Sequence, residues 1–201
     1  MKFGITTTRK MQQIELKFEI PFVKRTFRTL FNLYRSPDTW TFGMSSVCKD
    51  GRHVLFFDYD KIDDLQRVED EITFIQNHFG LSHAYIFTTQ EGNNFHVVIL
   101  DKHSLRDTFD IIKETNSDYA FLTAIKFLKG REWILRIAEK GNRPKPEFLK
   151  VIKSPFDKKE ISTAHKLFLQ NYYGVPKLKY KFEDNNTIIP LVNYTTGNRV
   201  K

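Results

Sequence analysis

Cysteine is nearly missing from this chain: its 201 residues contain one, Cys48. A single thiol excludes an internal disulfide and any zinc site built from several cysteines, and it fits a reducing, intracellular compartment. Long apolar runs are missing as well. No stretch approaches the ~20 residues needed to span a bilayer, and the opening MKFGITTTRK lacks the apolar centre of a secretory signal. A soluble protein with no membrane partner is expected. The chain has no Gly-x-x-x-x-Gly-Lys phosphate loop of the kind an attached helicase would carry, no His-x-His pair of a relaxase-type enzyme, and no internal repeat.

Acidic residues are scarce in one region only. From Lys140 onward there are 13 Lys and Arg against 5 Asp and Glu, whereas the preceding part holds 19 of each, so the last third carries the whole net charge of +8. Such a basic segment suits nucleic acid or another polyanion, and it equally suits solubility alone. A hydrophobic fraction of 40%, with 19 Phe and 8 Tyr, is ample for a packed interior in one domain or two small lobes.

Periodicity outlines the elements. Pro21–Tyr34 places Val23, Phe27, Leu30 and Tyr34 at helical spacing, which predicts an amphipathic helix with Lys24, Arg25 and Arg28 around it. Val54–Asp60 reads as a buried strand, and Ile62–Phe79 as a helix with a stripe of Ile62, Leu65, Val68, Ile72 and Ile75, ended by Gly80. Ala84–Thr89 and Asn94–Leu100 read as strands of a hairpin joined by Gln90-Glu91-Gly92-Asn93. Ser104 and Asp107 form a capping box for a helix through Ile112, and a further apolar stretch follows Asn116-Ser117-Asp118. After a break at Gly130 come a strand over Glu132–Ala138, a loop at Gly141, a short strand over Phe148–Ile152 and a helix over Glu160–Tyr172. The segment from Pro176 onward is charged and polar, as partly disordered tails are. The order predicts a compact α/β (α+β) unit with a mixed or antiparallel sheet.

Three groups of residues point to chemistry. The run His53-Val-Leu-Phe-Phe-Asp-Tyr-Asp60 ends an apolar strand in two carboxylates on one face, Asp58 and Asp60. Paired carboxylates repel until a cation, a proton or solvent relieves them, and hard oxygen ligands at a strand end suit Mg²⁺ or Mn²⁺ carrying phosphates. Asn94 and His96 share a strand face beyond the polar turn that follows Thr89, where an imidazole can donate to a phosphate oxygen. Arg136 and Lys140 share a face of the later strand, Arg136 among apolar neighbours that call for an anionic partner, whether a structural carboxylate or a bound phosphate.

In this order the elements resemble the archaeo-eukaryotic primase superfamily, the primase-polymerase proteins. LFFDYD is similar to that family's first motif, an Asp-x-Asp/Glu after a hydrophobic strand; NFH within TTQEGNNFHVVIL to its second, a small residue, any residue and then His after a turn; and LRIAEK to a Leu-Arg-x-x-x-Lys strand after the third, single acid. The resemblance runs from about Val54 to Arg143. It implies that Asp58 and Asp60 bind metal with a third acid, for which Asp118 is the candidate and Asp101 and Glu139 are competitors. It also implies that His96 contacts the incoming nucleotide's phosphates, with Thr89, Asn94, Arg136 and Lys140 as further nucleotide-binding positions.

The implied architecture is a catalytic domain over residues 1–175. An N-terminal α/β lobe of about 1–50 packs on an RRM-like sheet of about 51–155, with the active site in the cleft between them, and a basic tail follows over 176–201. The implied activity is template-dependent nucleotidyl transfer in DNA replication, with Mg²⁺ or Mn²⁺ as cofactor. Single-stranded DNA, nucleoside triphosphates and a helicase or accessory primase subunit are the implied partners. Lys177, Lys179 and Lys181 of KLKYK would lie on one side of an extended chain and grip the nucleic acid backbone, leaving Leu178 and Tyr180 on the other. Two other readings use the same residues: a replication protein that binds single strands without turnover, and a metal-dependent glycosyltransferase, which leaves His96, Arg136 and the basic segment without a shared purpose.

Overall fold

The fold is described from a computed structural model, which covers residues 2–8, 11–19, 26–34, 40–62, 64–90, 93–125, 132–140, 142–185 and 191–195. The expected turn through Glu91 and Gly92 and the breaks at Gly130 and Gly141 lie outside the described residues. The protein is mixed α+β, and the chain divides into two units, one of residues 1–39 with 195–201 and the other of residues 40–194.

In the first unit β1 (Lys2–Thr8), β2 (Met11–Glu19) and β3 (Thr26–Tyr34) form an antiparallel sheet in the order β1-β2-β3. The helix predicted over Pro21–Tyr34 is therefore corrected to a strand over Thr26–Tyr34. The segment TFRTLFNLY carries aromatic and β-branched residues that suit a pleated ladder, and pairing from Met11↔Tyr34 to Glu19↔Thr26 outweighs a helical spacing of four apolar positions. Among its described residues this unit is all strand, so its expected α/β character gives way to a β-sheet.

The second unit is built on β5 (His53–Tyr59), α1 (Leu65–Phe79), β6 (Ala84–Gln90) and β7 (Asn94–His103), together with β9 (Glu147–Ile152). The sheet order is β5-β7-β6-β9, with every pair antiparallel. Because β5 and β6 both run against β7, they are parallel to each other, and α1 crosses between them in a split β-α-β unit. Val54–Phe57 of β5 and Val97–Leu100 of β7 are fully buried. Burial on both faces explains why these strands read as unbroken apolar runs instead of alternating.

The helices begin and end where local chemistry dictates. Asp64 caps α1 by accepting from the Gln66 amide at 2.8 Å, and Gly80 closes it in the left-handed region at φ 62, which glycine adopts without a Cβ clash. The predicted stripe of Val68, Ile72 and Ile75 is buried. Ser104 caps α2 (Leu105–Lys113), and Asp118 caps α3 (Tyr119–Ala124). Ser162 caps α4 (Thr163–Tyr173).

A second sheet, ordered β10-β4-β8, joins β10 (Leu191–Thr195) and β4 (Trp40–Ser45) to β8 (Ile134–Arg136). The strand expected over Glu132–Ala138 thus shortens to three residues. Ser46, just past β4, stitches the two sheets together: its amide donates to the Trp133 carbonyl and its carbonyl accepts from the Val54 amide, both at 2.9 Å.

The expected basic tail is corrected in part, since residues 176–185 belong to the second unit's packing. Tyr180 is buried with its hydroxyl 2.7 Å from that of Tyr85. The Ile161 amide donates to the Phe182 carbonyl at 2.9 Å, and the Asp184 carboxylate pairs with buried Lys102 at 2.9 Å. Asp50 meets the same ammonium at 2.7 Å, so the buried charge is compensated from two sides.

Candidate metal centre and its surroundings

Strand β5 delivers Asp58 at its penultimate position, and Asp60 follows just past its end, half-buried and exposed respectively. Between them Tyr59 points to the opposite side and is fully buried. The chain then turns through Lys61, a non-glycine residue at φ 61. That left-handed turn is held by the Asn94 side chain, whose Oδ1 accepts from the Lys61 amide at 2.6 Å, and by the Ile62 amide on the Asn93 carbonyl at 2.9 Å. Asn94, expected to bind nucleotide, braces the loop that carries Asp60.

The third carboxylate arrives from a distant part of the sequence. The Asp118 amide donates to the Asp58 carbonyl at 2.7 Å, while its side chain accepts from the Ala120 amide at 2.8 Å as the cap of α3. Asp58, Asp60 and Asp118 each offer one oxygen, and these oxygens lie within 4.8 Å of one another. Around a six-coordinate Mg²⁺ or Mn²⁺ at about 2.1 Å, opposite ligand oxygens stand about 4.2 Å apart. Three acceptor-only oxygens at this spacing fit such a cation after small side-chain rotations. The competitors for the third acid lie elsewhere. Asp101 is fully buried at the far end of β7, accepting from the Ser82 amide at 2.6 Å, and Glu139 is exposed outside the cluster.

His96 sits directly opposite Asp58 in the β5–β7 ladder, with Nε2 3.5 Å from Asp58 Oδ1. Burial, and secondarily the Arg136 charge, lower its pKa to about 3. The ring is therefore neutral at neutral pH, and the Asp58 contact is a long polar approach rather than an ion pair. A neutral imidazole keeps one N–H to donate.

Arg136 is buried, and its guanidinium donates to main-chain carbonyls: Nη1 to Ala138 at 2.8 Å and Pro144 at 2.6 Å, Nη2 to Thr89 at 3.3 Å. Thr89 is itself buried on β6. Arg136 thus clamps β6 to the loop after β8 while its charge acts on His96. Lys140 does not share a strand face with it, because β8 stops at Arg136. The half-buried Lys140 forms a two-residue bridge with Arg143 through backbone hydrogen bonds of 2.9 and 3.0 Å. Lys177, Lys179 and Lys181 are exposed while Leu178 and Tyr180 pack inward, the alternation expected of an extended KLKYK.

One set of contacts was not legible from motifs. Glu71 of α1 accepts from the Tyr59 hydroxyl at 2.8 Å, from the Asn116 amide at 2.8 Å and from the Asn116 side-chain nitrogen at 2.5 Å. Burial and the Glu71 charge hold the Tyr59 hydroxyl far above its ordinary pKa, so it remains a donor. The available signal was the turn composition of Asn116-Ser117-Asp118, which marks a loop needing outside partners for its backbone. Compared with protein-family models, with curated proteins and with solved structures, the chain matches none.

Proposed function

We propose that this protein is a template-dependent nucleotidyltransferase of the primase-polymerase kind, joining nucleoside triphosphates on single-stranded DNA with two divalent cations. The observation that carries the reading is the convergence of Asp58, Asp60 and Asp118, three carboxylate oxygens within 4.8 Å, beside the buried neutral His96. Asp58, Asp60 and Asp118 would hold divalent cations there, which when bound would supply Lewis acidity for attack by a 3′-hydroxyl and charge neutralisation for the departing pyrophosphate. The chain's own residues supply positioning and electrostatics, the main requirements of phosphoryl transfer. Asp58 and Asp60 hold the cations from the end of a rigid strand, and Asp118 closes the set from the α3 cap. The His96 N–H donates to a phosphate oxygen of the incoming nucleotide, and Arg136 adds positive potential behind it. The β5-α1-β6-β7 unit is consistent with part of an RRM-like sheet. Lys177, Lys179 and Lys181 offer exposed charge for the template backbone.

A second reading, single-strand binding in replication without turnover, is favoured by one detail: Asp118 is engaged as the helix cap of α3. The test is to incubate the protein with single-stranded DNA, labelled nucleotides and Mg²⁺ or Mn²⁺, with and without a primer. Extended products support nucleotidyl transfer. Template binding without incorporation under every condition contradicts it and supports the binding protein.

A further inference from the structure

We propose that Glu71 is the positioning residue of this cation site, setting where Asp118 stands relative to Asp58 and Asp60; the inference rests on the reading of those three carboxylates as cation ligands. Glu71 is bonded both to Tyr59 of β5, which lies between two of the ligands in sequence, and to the loop that carries the third. Its carboxylate has acceptors only, and three donors converge on it: the Tyr59 hydroxyl from between the two strand aspartates, and both nitrogens of Asn116, two residues ahead of Asp118. Tyr59 is fully buried, so the link is anchored in the core of β5.

Helix α3 has six residues, too few to hold its own N-terminus in place. Asp118 must therefore be located from outside. The hydrogen bond from its backbone N–H to the Asp58 carbonyl fixes one point, and Glu71 fixes the loop immediately before it. With both in place the third oxygen reaches the other two without a search through loop conformations, which is how groups behind the ligands raise the affinity of a metal centre.

A purely structural role for Glu71 would lower the melting temperature and leave cation affinity unchanged in folded protein. The discriminating experiment titrates Mn²⁺ against the protein by electron paramagnetic resonance, without nucleotide or template. It compares the parent with Glu71→Gln, Tyr59→Phe, Asp118→Asn, Asp58→Asn and the Glu71→Gln/Asp118→Asn pair, each with a thermal melt. Glutamine keeps the volume but turns an N–H₂ toward the Asn116 donors. Glu71→Gln is expected to weaken Mn²⁺ about ten- to a hundredfold, Tyr59→Phe less, and Glu71→Gln is expected to add nothing once Asp118 is already Asn. Parental Mn²⁺ affinity in Glu71→Gln, or the same loss with and without Asp118, overturns the proposal. Should Glu71→Gln fail to fold, Tyr59→Phe and Asn116→Ala carry the same comparison against Asp118→Asn. Absence of Mn²⁺ binding by the parent, or parental binding by Asp58→Asn, removes the cation site and this inference together. Loss of binding in Asp58→Asn alone removes only the role of Glu71.

Discussion

At the residue scale, His96 is a packed side chain that the proposed function also uses as a donor to phosphate. It lies within a buried strand, opposite Asp58 and under the influence of Arg136, and it stays neutral far below neutral pH. His96→Ala is expected to weaken nucleotide binding by about tenfold to a hundredfold, since a hydrogen bond to a charged phosphate is worth roughly 1.5–3 kcal/mol. Single-strand affinity should change little. Nucleotide titration beside a thermal melt checks this: parental nucleotide affinity in a destabilised but folded mutant would leave His96 a packing residue only. Asp58, Asp60 and His96 were legible in the sequence because alternation along two short strands fixes their faces. Asp118 was legible only as a candidate, since its partner Asp58 is 60 positions away and the turn residues around it read equally well as a helix cap. Glu71 was not legible, because no helical spacing on α1 predicts a bond to a loop that follows three further elements. Arg136 was expected to meet phosphate or carboxylate, and the carbonyls it holds come from β6 and from the loop after β8, which no local pattern links.

At the scale of elements, sequence pattern located those whose burial is one-sided, such as α2 with its Ser104 cap and α1 with Gly80 at its end, although α1 begins at Leu65 behind an Asp64 cap and not at Ile62. It failed at β3, where apolar residues occur at both periods and the partner strand decides. It also misjudged residues 176–185, whose many charges suggested a tail. Among these charges Leu178 and Tyr180 turn inward, and with the Ile161–Phe182 hydrogen bond and the Lys102–Asp184 pair they dock the segment on the core. That docking leaves three exposed lysines facing solvent. Changing Lys177, Lys179 and Lys181 together to Ala should weaken single-strand binding evenly across sequences and flatten its salt dependence by about 0.7 per lost phosphate contact on the logarithmic slope. Binding measured from low to moderate salt decides it, and an unchanged slope removes these lysines from the interface. Tyr180→Phe deletes the hydrogen bond to Tyr85 and should cost about 1 kcal/mol in urea unfolding.

At the scale of the molecule, the core is unusually rich in neutral imidazole. Burial lowers His103 and His165 to about 4, and it lowers His53 and His83 as well. His165 is locked between the Ser162 hydroxyl at 2.7 Å and the Ser45 carbonyl at 2.8 Å. In the unfolded chain His103 and His165 take up protons near pH 6.5, whereas in the folded protein they resist until about pH 4. The unfolded state thus binds more protons between those values, and stability falls as pH falls through that window. His103 and His165 together remove about 3 kcal/mol per pH unit there, against a total stability on the order of 5–15 kcal/mol. Urea midpoints should hold above pH 7 and drop steeply between pH 6.5 and 4; a flat profile across that range would show that these rings are not buried and neutral.

At the centre of the proposed function stand the three carboxylate oxygens of Asp58, Asp60 and Asp118 as cation ligands. The most direct test is labelled-nucleotide incorporation on a primed single strand with Mg²⁺ or Mn²⁺, by the parent and by folded Asp58→Asn made in parallel. Removing one carboxylate should abolish incorporation while leaving the melting temperature equal or slightly higher, because the cluster's own repulsion is relieved. Incorporation by the parent that vanishes in Asp58→Asn is the predicted result. No incorporation by the parent, or undiminished incorporation by Asp58→Asn, would contradict it.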